Sequence, residues 1–337
     1  MNRWILVIAA TSIVILFIVG GVTQRMISMP GESYQGEIPG LDGEKLALKD
    51  RLRGHVDTLA GDIGERNLGR YPDNLKRAAN YIETKFREVG YDPIDQSFSV
   101  AGDTVRNVYV RLPGESPGEP RLVVGAHYDT VQGSPGANDN ATGVAAVLEL
   151  ARHFQGKTEY GPIDFVAFVN EEPPYFTTEN MGSARYARRL SANNATVSAM
   201  ISLETIGYYS QESGSQNYPF PFNFFYPSRG NFIGFVGSFW YRQVVRDGIR
   251  AFRENTKFPS QGVAAPSFVP GVGWSDHRSF WEYGYPAFMV TDTALYRYPH
   301  YHRPTDVPSQ VDYERMTLVT IGLKDVVYEL HQGEYGD

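Results

Sequence analysis

Residues 125–151 read GAHYDTVQGSPGANDNATGVAAVLELA, and the rest of the chain is organised around them. The apolar run Leu122-Val123-Val124 leads into His127 and Asp129. A loop rich in Gly, Pro, Ser and Asn then delivers Asp139, and an amphipathic segment starts near Asn140 and continues past Leu150. The pattern predicts a strand, a loop and a helix start, with one imidazole and two carboxylates held where the strand ends. Open α/β sheets bind ligands beyond the carboxyl ends of their strands, and a neutral imidazole with carboxylates is a donor set that suits zinc. Asp129 lies two residues after His127, on the same side of an extended chain. It is placed to accept the second ring N–H of His127 and fix its tautomer. Taken alone, the stretch also reads as an ordinary strand-end histidine followed by a helix-capping aspartate, so the other strand ends must decide.

Two of them do. Ile163 to Val169 is an apolar, β-branched and aromatic run, expected to be a buried strand, and it ends in Asn170-Glu171-Glu172-Pro173-Pro174. Adjacent side chains cannot point the same way, so one glutamate can bind metal while its neighbour faces a substrate cavity. Val197 to Leu203 is a further apolar strand, ending in Glu204. His277, His300 and His302 are available to complete a site. His55 has no ligand partner nearby and reads as a surface residue, His153 reads as the solvent face of a helix, and His331 carries no expected role.

Composition sets bounds. The 337 residues are 42% hydrophobic and 20% charged, a globular profile without the signature of disorder. A formal net charge of -7 with no Lys/Arg run argues against nucleic acid as a partner. The absence of cysteine excludes disulfides, thiolate metal sites, thiol nucleophiles and a lipoprotein anchor.

Trp4 to Val22 is uncharged and apolar, just long enough at about 1.5 Å per residue to cross a hydrocarbon core of about 30 Å. It is longer than the apolar core of a usual signal peptide and has only a weak cleavage site, so an uncleaved anchor is favoured over a cleaved signal. Arg3 and the terminal amine against Arg25 give a slight bias for an inside N-terminus, with the catalytic part extracytoplasmic. The expected organisation is an anchor over 1–24, a linker over 25–43 and one catalytic domain over 44–337. Scaffold elements follow the linker: a helix from Gly43 to Ala60, a helix N-capped by Asp73, strands over 96–100 and 107–112, and a hairpin connection over 113–120. The segment 208–231 is rich in aromatics and lacks helix or strand periodicity. It reads as an ordered insertion near the active cleft, with a part in substrate access as one of two readings.

Five separated motifs, GAHYDTV with GANDNATGVAAVLELAR, NEE, SLETIGY, SDHRSF and YH followed by PTD, resemble the M28 zinc metallopeptidases in order and spacing from about Leu48 onward. With the N-terminal run, the chain is similar to membrane-bound bacterial members. The resemblance implies a three-layer α/β/α fold with a central mixed, mostly parallel sheet, preceded here by one transmembrane helix. It implies two zinc ions bridged by Asp139, one also held by Glu172 and His302, the other by His127 and Glu204. Many members carry Asp at the position of Glu204. Glu171 is implied as general base and Asp129 as the residue orienting His127. A cis peptide is implied after Asp139. Tyr301 is a candidate hydrogen-bond donor to the substrate carbonyl, with packing as its other reading, and Asp276 is expected to support the site. The implied activity is peptide hydrolysis, most simply the removal of N-terminal residues. The rival readings are a single-zinc glutaminyl-cyclase-like acyltransferase and a non-catalytic receptor-like ectodomain. Oligomeric state is not legible.

Overall fold

The computed structural model describes residues 20–116 and 118–331. Eight strands build one sheet: β1 (Ile94–Val100), β2 (Asp103–Leu112), β3 (Arg121–His127), β4 (Ile163–Phe168), β5 (Val197–Glu204), β6 (Ile233–Ser238), β7 (Ser260–Ala265) and β8 (Ala287–Thr291). Their order is β1-β2-β4-β3-β5-β8-β6-β7. The central four, β4-β3-β5-β8, are mutually parallel, while β1, β2 and the β6–β7 pair join antiparallel at the flanks. The cause is visible in the residues. Every residue of β4, β5 and β8 is buried, as expected of strands covered on both faces. Because the four run the same way, all deliver their carboxyl ends to one rim.

The α-helices lying wholly within the described residues are α1 (Gly43–Val56), α2 (Pro72–Glu88), α3 (Thr142–Phe154), α4 (Gly182–Ala192), α5 (Arg242–Asn255), α6 (His277–Trp281), α7 (Ala294–Arg297) and α8 (Tyr313–His331). One core packs sheet residues such as Val124 and Phe165 against Leu52, Ile82, Phe252 and Val319 of α1, α2, α5 and α8. A second packs Val123, Val166 and Met200 against Tyr186, Leu190 and Phe280 of α4 and α6. The result is three layers. Each fully buried aromatic or aliphatic side chain contributes roughly 1.5–3 kcal/mol. Gly143 matters to position: a Cβ there would come within 2.4 Å of the Leu203 carbonyl, so the glycine lets the start of α3 close on β5.

Several expectations are corrected. The hairpin across 113–120 does not form, because β4 inserts between β2 and β3. The first helix runs on as a wider π-helical turn over Asp57–Ile63, and the second begins at Pro72 with Asp73 inside its first turn. His153 is half-buried against the Tyr328 hydroxyl. The expected transmembrane span falls mostly on residues outside those described. Among the described residues, 20–27 are helical, and no helix is long and apolar enough to cross a membrane. The stretch expected to be a linker is docked on the domain. Arg253 of α5 donates to the carbonyls of Pro30 and Gly31, and Ser33 Oγ accepts the Ser260 N–H of edge strand β7.

His55 is buried rather than at the surface. Its ring bonds Tyr81 and reaches Glu149 Oε1 at 3.3 Å, while Arg51 donates to Glu149 Oε2 at 2.7 Å. Glu149 thereby ties α3 to α1. Burial raises its carboxyl, but His55 and Arg51 outweigh this and hold it at about 2, below its ordinary 4.5. A depressed carboxyl stabilises the fold fully above the unfolded value and loses that contribution as pH falls through the folded one. Glu149→Gln is expected to cost about 1–3 kcal/mol at neutral pH, and the gap to wild type should close between pH 4.5 and 2. Urea unfolding across that range measures it, and a gap independent of pH would contradict the assignment.

Candidate metal centre

His127 is the last residue of β3 and is fully buried. Its Nδ1 faces the Asp129 backbone carbonyl at 3.2 Å and Asp129 Oδ1 at 3.5 Å. The Asp129 carboxylate also accepts the N–H groups of Glu171 and Glu172, at 3.0 and 3.1 Å. One side chain therefore fixes both the imidazole and the end of β4. The loop bearing Asp139 is held by Asp306, whose two oxygens accept the N–H groups of Asn138 and Asp139 at 2.8 and 3.1 Å. The peptide between Asp139 and Asn140 is cis, as the resemblance implied.

His127 Nε2 lies 3.3 Å from Asp139 Oδ1 and 3.3 Å from Glu204 Oε2. His302 Nε2 lies 3.1 Å from Asp139 Oδ2 and 3.4 Å from Glu172 Oε1. The ligand atoms of His127, Asp139 and Glu204 fall within 4.8 Å of one another, and so do those of Asp139, Glu172 and His302. Two donor triads thus share one carboxylate. His127 Nε2 and Asp139 Oδ2 are buried without a hydrogen-bond partner, although such atoms are normally satisfied. The donors are imidazole nitrogen and carboxylate oxygen only, a set that fits zinc.

The electrostatics point the same way. Burial pushes Glu172 up to about 7, with Asp139 adding to the effect. Burial raises Glu204 too. Glu171 stands well above the ordinary carboxyl range through burial, opposed by His127 and reinforced by Glu204, Glu172 and Asp276. Glu171 Oε2 is 3.9 Å from His127 Nε2. This density of buried carboxylates is costly without compensating positive charge, and divalent cations supply it.

The Tyr301 ring stacks on His302 at 3.9 Å between centroids, and burial among the acids holds its phenol well above the ordinary range. It therefore stays a protonated donor. Tyr301 and Glu204 line an apolar cavity of about 120 Å³ together with Tyr218 and Phe222 of the aromatic insertion and with Val263 and Val272. The insertion is ordered and borders the site. Asp276 is fully buried with both oxygens unpartnered, and Ser275 beside it donates to Glu204 Oε2 at 2.7 Å. His277 and His300 lie outside both triads, bonded instead to the Val272 carbonyl and the Thr305 hydroxyl.

Sequence reasoning missed the residues that position the donors. Arg66 is fully buried and donates to the carbonyls of Leu59, Gly64, Tyr128, Pro135 and Gly136. Burial lowers its guanidinium to about 10 against the pull of Asp306, Asp129 and Asp139. Asn138 bonds Asp292, and Asn140 bridges Leu203, Gly143 and Thr205. Arg66→Met should cost at least about 3 kcal/mol, because it strands several buried carbonyls at once. Arg66→Lys should recover only a small part of that, since an ammonium lacks the planar fork. Urea denaturation checks both, and a cost under about 1 kcal/mol for Arg66→Met would contradict the role.

The family model described as Peptidase family M28 matches residues 107–326. The uncharacterized protein YfbL of Escherichia coli K12 is 38% identical over 84% of this chain and 88% of its own length. Leucine aminopeptidase 1 of Emericella nidulans is 23% identical over 91% of this chain and 82% of its own. Among solved structures, BSAP, a zinc aminopeptidase from Bacillus subtilis, superposes with a TM-score of 0.66 at 16% identity, covering 87% of this chain and 96% of that one, a likeness of fold. The family match spans His127 and Glu204 at their strand ends and the loops that carry Asp139, Glu171, Glu172 and His302, and the chain belongs to peptidase family M28, as a hydrolase.

Proposed function

We propose that the chain is a di-zinc aminopeptidase. The observation that carries this reading is the pair of donor triads sharing Asp139, with Glu171 beside them. His127 and Glu204 would hold one ion, Glu172 and His302 the other, and Asp139 both. When bound, the ions supply Lewis acidity toward a peptide carbonyl and toward water.

The protein's own groups do the remaining work. Glu171 takes the proton of the attacking water on its carboxylate and returns it to the leaving amine, a role that favours a carboxyl raised by its surroundings. The Tyr301 hydroxyl donates to the carbonyl oxygen as charge develops there. Asp129 keeps His127 and the Glu171–Glu172 backbone in register. The apolar cavity takes the side chain of the first residue, and the Glu204 carboxylate in its lining favours a free, cationic N-terminus over a blocked one.

A single-zinc acyltransferase of the cyclase type would not need His127 and Glu204 as a second donor set. A receptor-like domain would need neither triad. Both triads are present, which favours hydrolysis. We also propose that Trp4 to Val22 anchors the chain as a single span, with the catalytic domain on the extracytoplasmic side.

Free and N-acetylated aminoacyl substrates, with and without chelator, test the activity. Cleavage confined to free N-termini, fastest with large apolar first residues and abolished by chelator, is expected. Release of ammonia from an N-terminal glutamine peptide without loss of the residue would contradict it. Glu171→Gln should lower kcat by about 10²–10⁴-fold while leaving metal content unchanged. A kcat near wild type would remove Glu171 from the chemistry.

A further inference from the structure

We propose that the face bearing Phe220, Phe224, Trp240 and Phe268, together with Arg25, Arg242 and Arg246, rests on the surface of a lipid bilayer with anionic headgroups. The proposal rests on the N-terminal anchor put forward above.

These four rings are the most exposed large hydrophobic side chains described, at 82, 71, 84 and 84%. They belong to one region. Phe220 and Phe224 lie edge to face at 6.0 Å, on a segment whose Phe222 packs with Ala265 and Val272. The Tyr226 hydroxyl fastens that segment to the Gly262 carbonyl of β7 at 2.6 Å. Trp240 lies two residues past Ser238, and Phe268 three past Ala265. Ser238 and Ala265 are cross-strand partners at the end of the β6–β7 pair. Exposed aromatic patches of this kind mark an interaction surface, and tryptophan with other amphipathic rings concentrates at membrane interfaces.

The bilayer is the occupant because of where the chain enters. Met26 and Ile27 pack into this same cluster, beside Tyr218, Val236 and Val263. The apolar run of 4–22 therefore ends within a few residues of the patch. Charge agrees. Arg25 and Arg246 lie close enough to Arg242 to lower its guanidinium, burial being the first cause. Among the described residues none of the three has a carboxylate ion-pair partner, although neighbouring Arg250 pairs with Asp247 and Glu329. In a chain of net charge -7, an unpaired arginine cluster suits anionic headgroups. The segment that touches lipid also carries Tyr218 and Phe222 of the cavity wall, so bilayer contact and substrate cavity adjoin.

The chain has no cysteine, so Phe224→Cys, Trp240→Cys and Phe268→Cys each give a single nitroxide position in the full chain. Asp103→Cys, on the hairpin at the opposite edge of the sheet, is the control. The labelled chains are reconstituted into phosphatidylglycerol–phosphatidylcholine nanodiscs, and collision with oxygen and with an aqueous nickel chelate is measured. Expected at 224, 240 and 268 is a shift toward oxygen and away from nickel, with the reverse at 103. Labels as aqueous as the control, in chains that co-float with lipid, would overturn the proposed face and leave the anchor standing. Aqueous labels broadened by a neighbouring spin would assign the face to a second copy and also overturn it. A chain that fails to co-float with vesicles after carbonate washing would overturn both.

Discussion

The Asp139 carboxylate presents one oxygen to His127 and the other to His302, and the geometry around it depends on keeping both faces open at once. Nothing in a short loop guarantees that. Asp306 holds the backbone N–H groups of Asn138 and Asp139, Asn140 reaches across to Leu203 and Thr205, and Arg66 gathers the carbonyls of the preceding turn. Around a shared carboxylate, an error of one ångström would separate the two donor sets. A hydrogen-bonded polar network in a buried interior supplies rigidity that side-chain packing alone does not. The sheet supplies the coarser alignment, since β3, β4 and β5 run parallel and release His127, the Glu171–Glu172 pair and Glu204 at one rim.

Backbone conformation around the centre shows the cost of that arrangement. Asn170, Thr205 and His302 all have positive φ, at 59, 49 and 57°. Thr205 follows the donor Glu204, Asn170 precedes Glu171, and His302 is itself a donor. Left-handed conformations are unfavourable for such residues, for a β-branched threonine above all. They persist because surrounding bonds over-determine them: the Thr205 N–H is taken by Asn140 and its hydroxyl meets Thr291. Burial of so many acids adds to the cost, and cations at the two triads would offset it. Metal binding at the triads would therefore be coupled to stability.

Much of this was legible because it is local. Continuous apolar runs identified the buried strands, and acids at their ends identified the rim. The resemblance of the five motifs implied a ligand set, and the fold brings those side chains within reach of one another. What was not legible is non-local. Nothing about Arg66 in IGERN signals five carbonyl partners, three of them more than sixty residues away. His55 reads as exposed until α3 brings Glu149 against it. The 113–120 turn reads as a hairpin because turn chemistry cannot reveal that β4, forty residues later, will take the intervening place. The aromatic insertion showed composition without periodicity. Only the fold shows that one part of it walls the cavity while another part faces outward.

The most direct test of the shared carboxylate is zinc bound per folded chain, measured by plasma mass spectrometry after equilibrium dialysis. Two equivalents are expected in the wild type, one in His127→Ala and in His302→Ala, and none in Asp139→Asn. A wild-type chain saturating at one equivalent, or an Asp139→Asn chain binding as much as wild type, would contradict it.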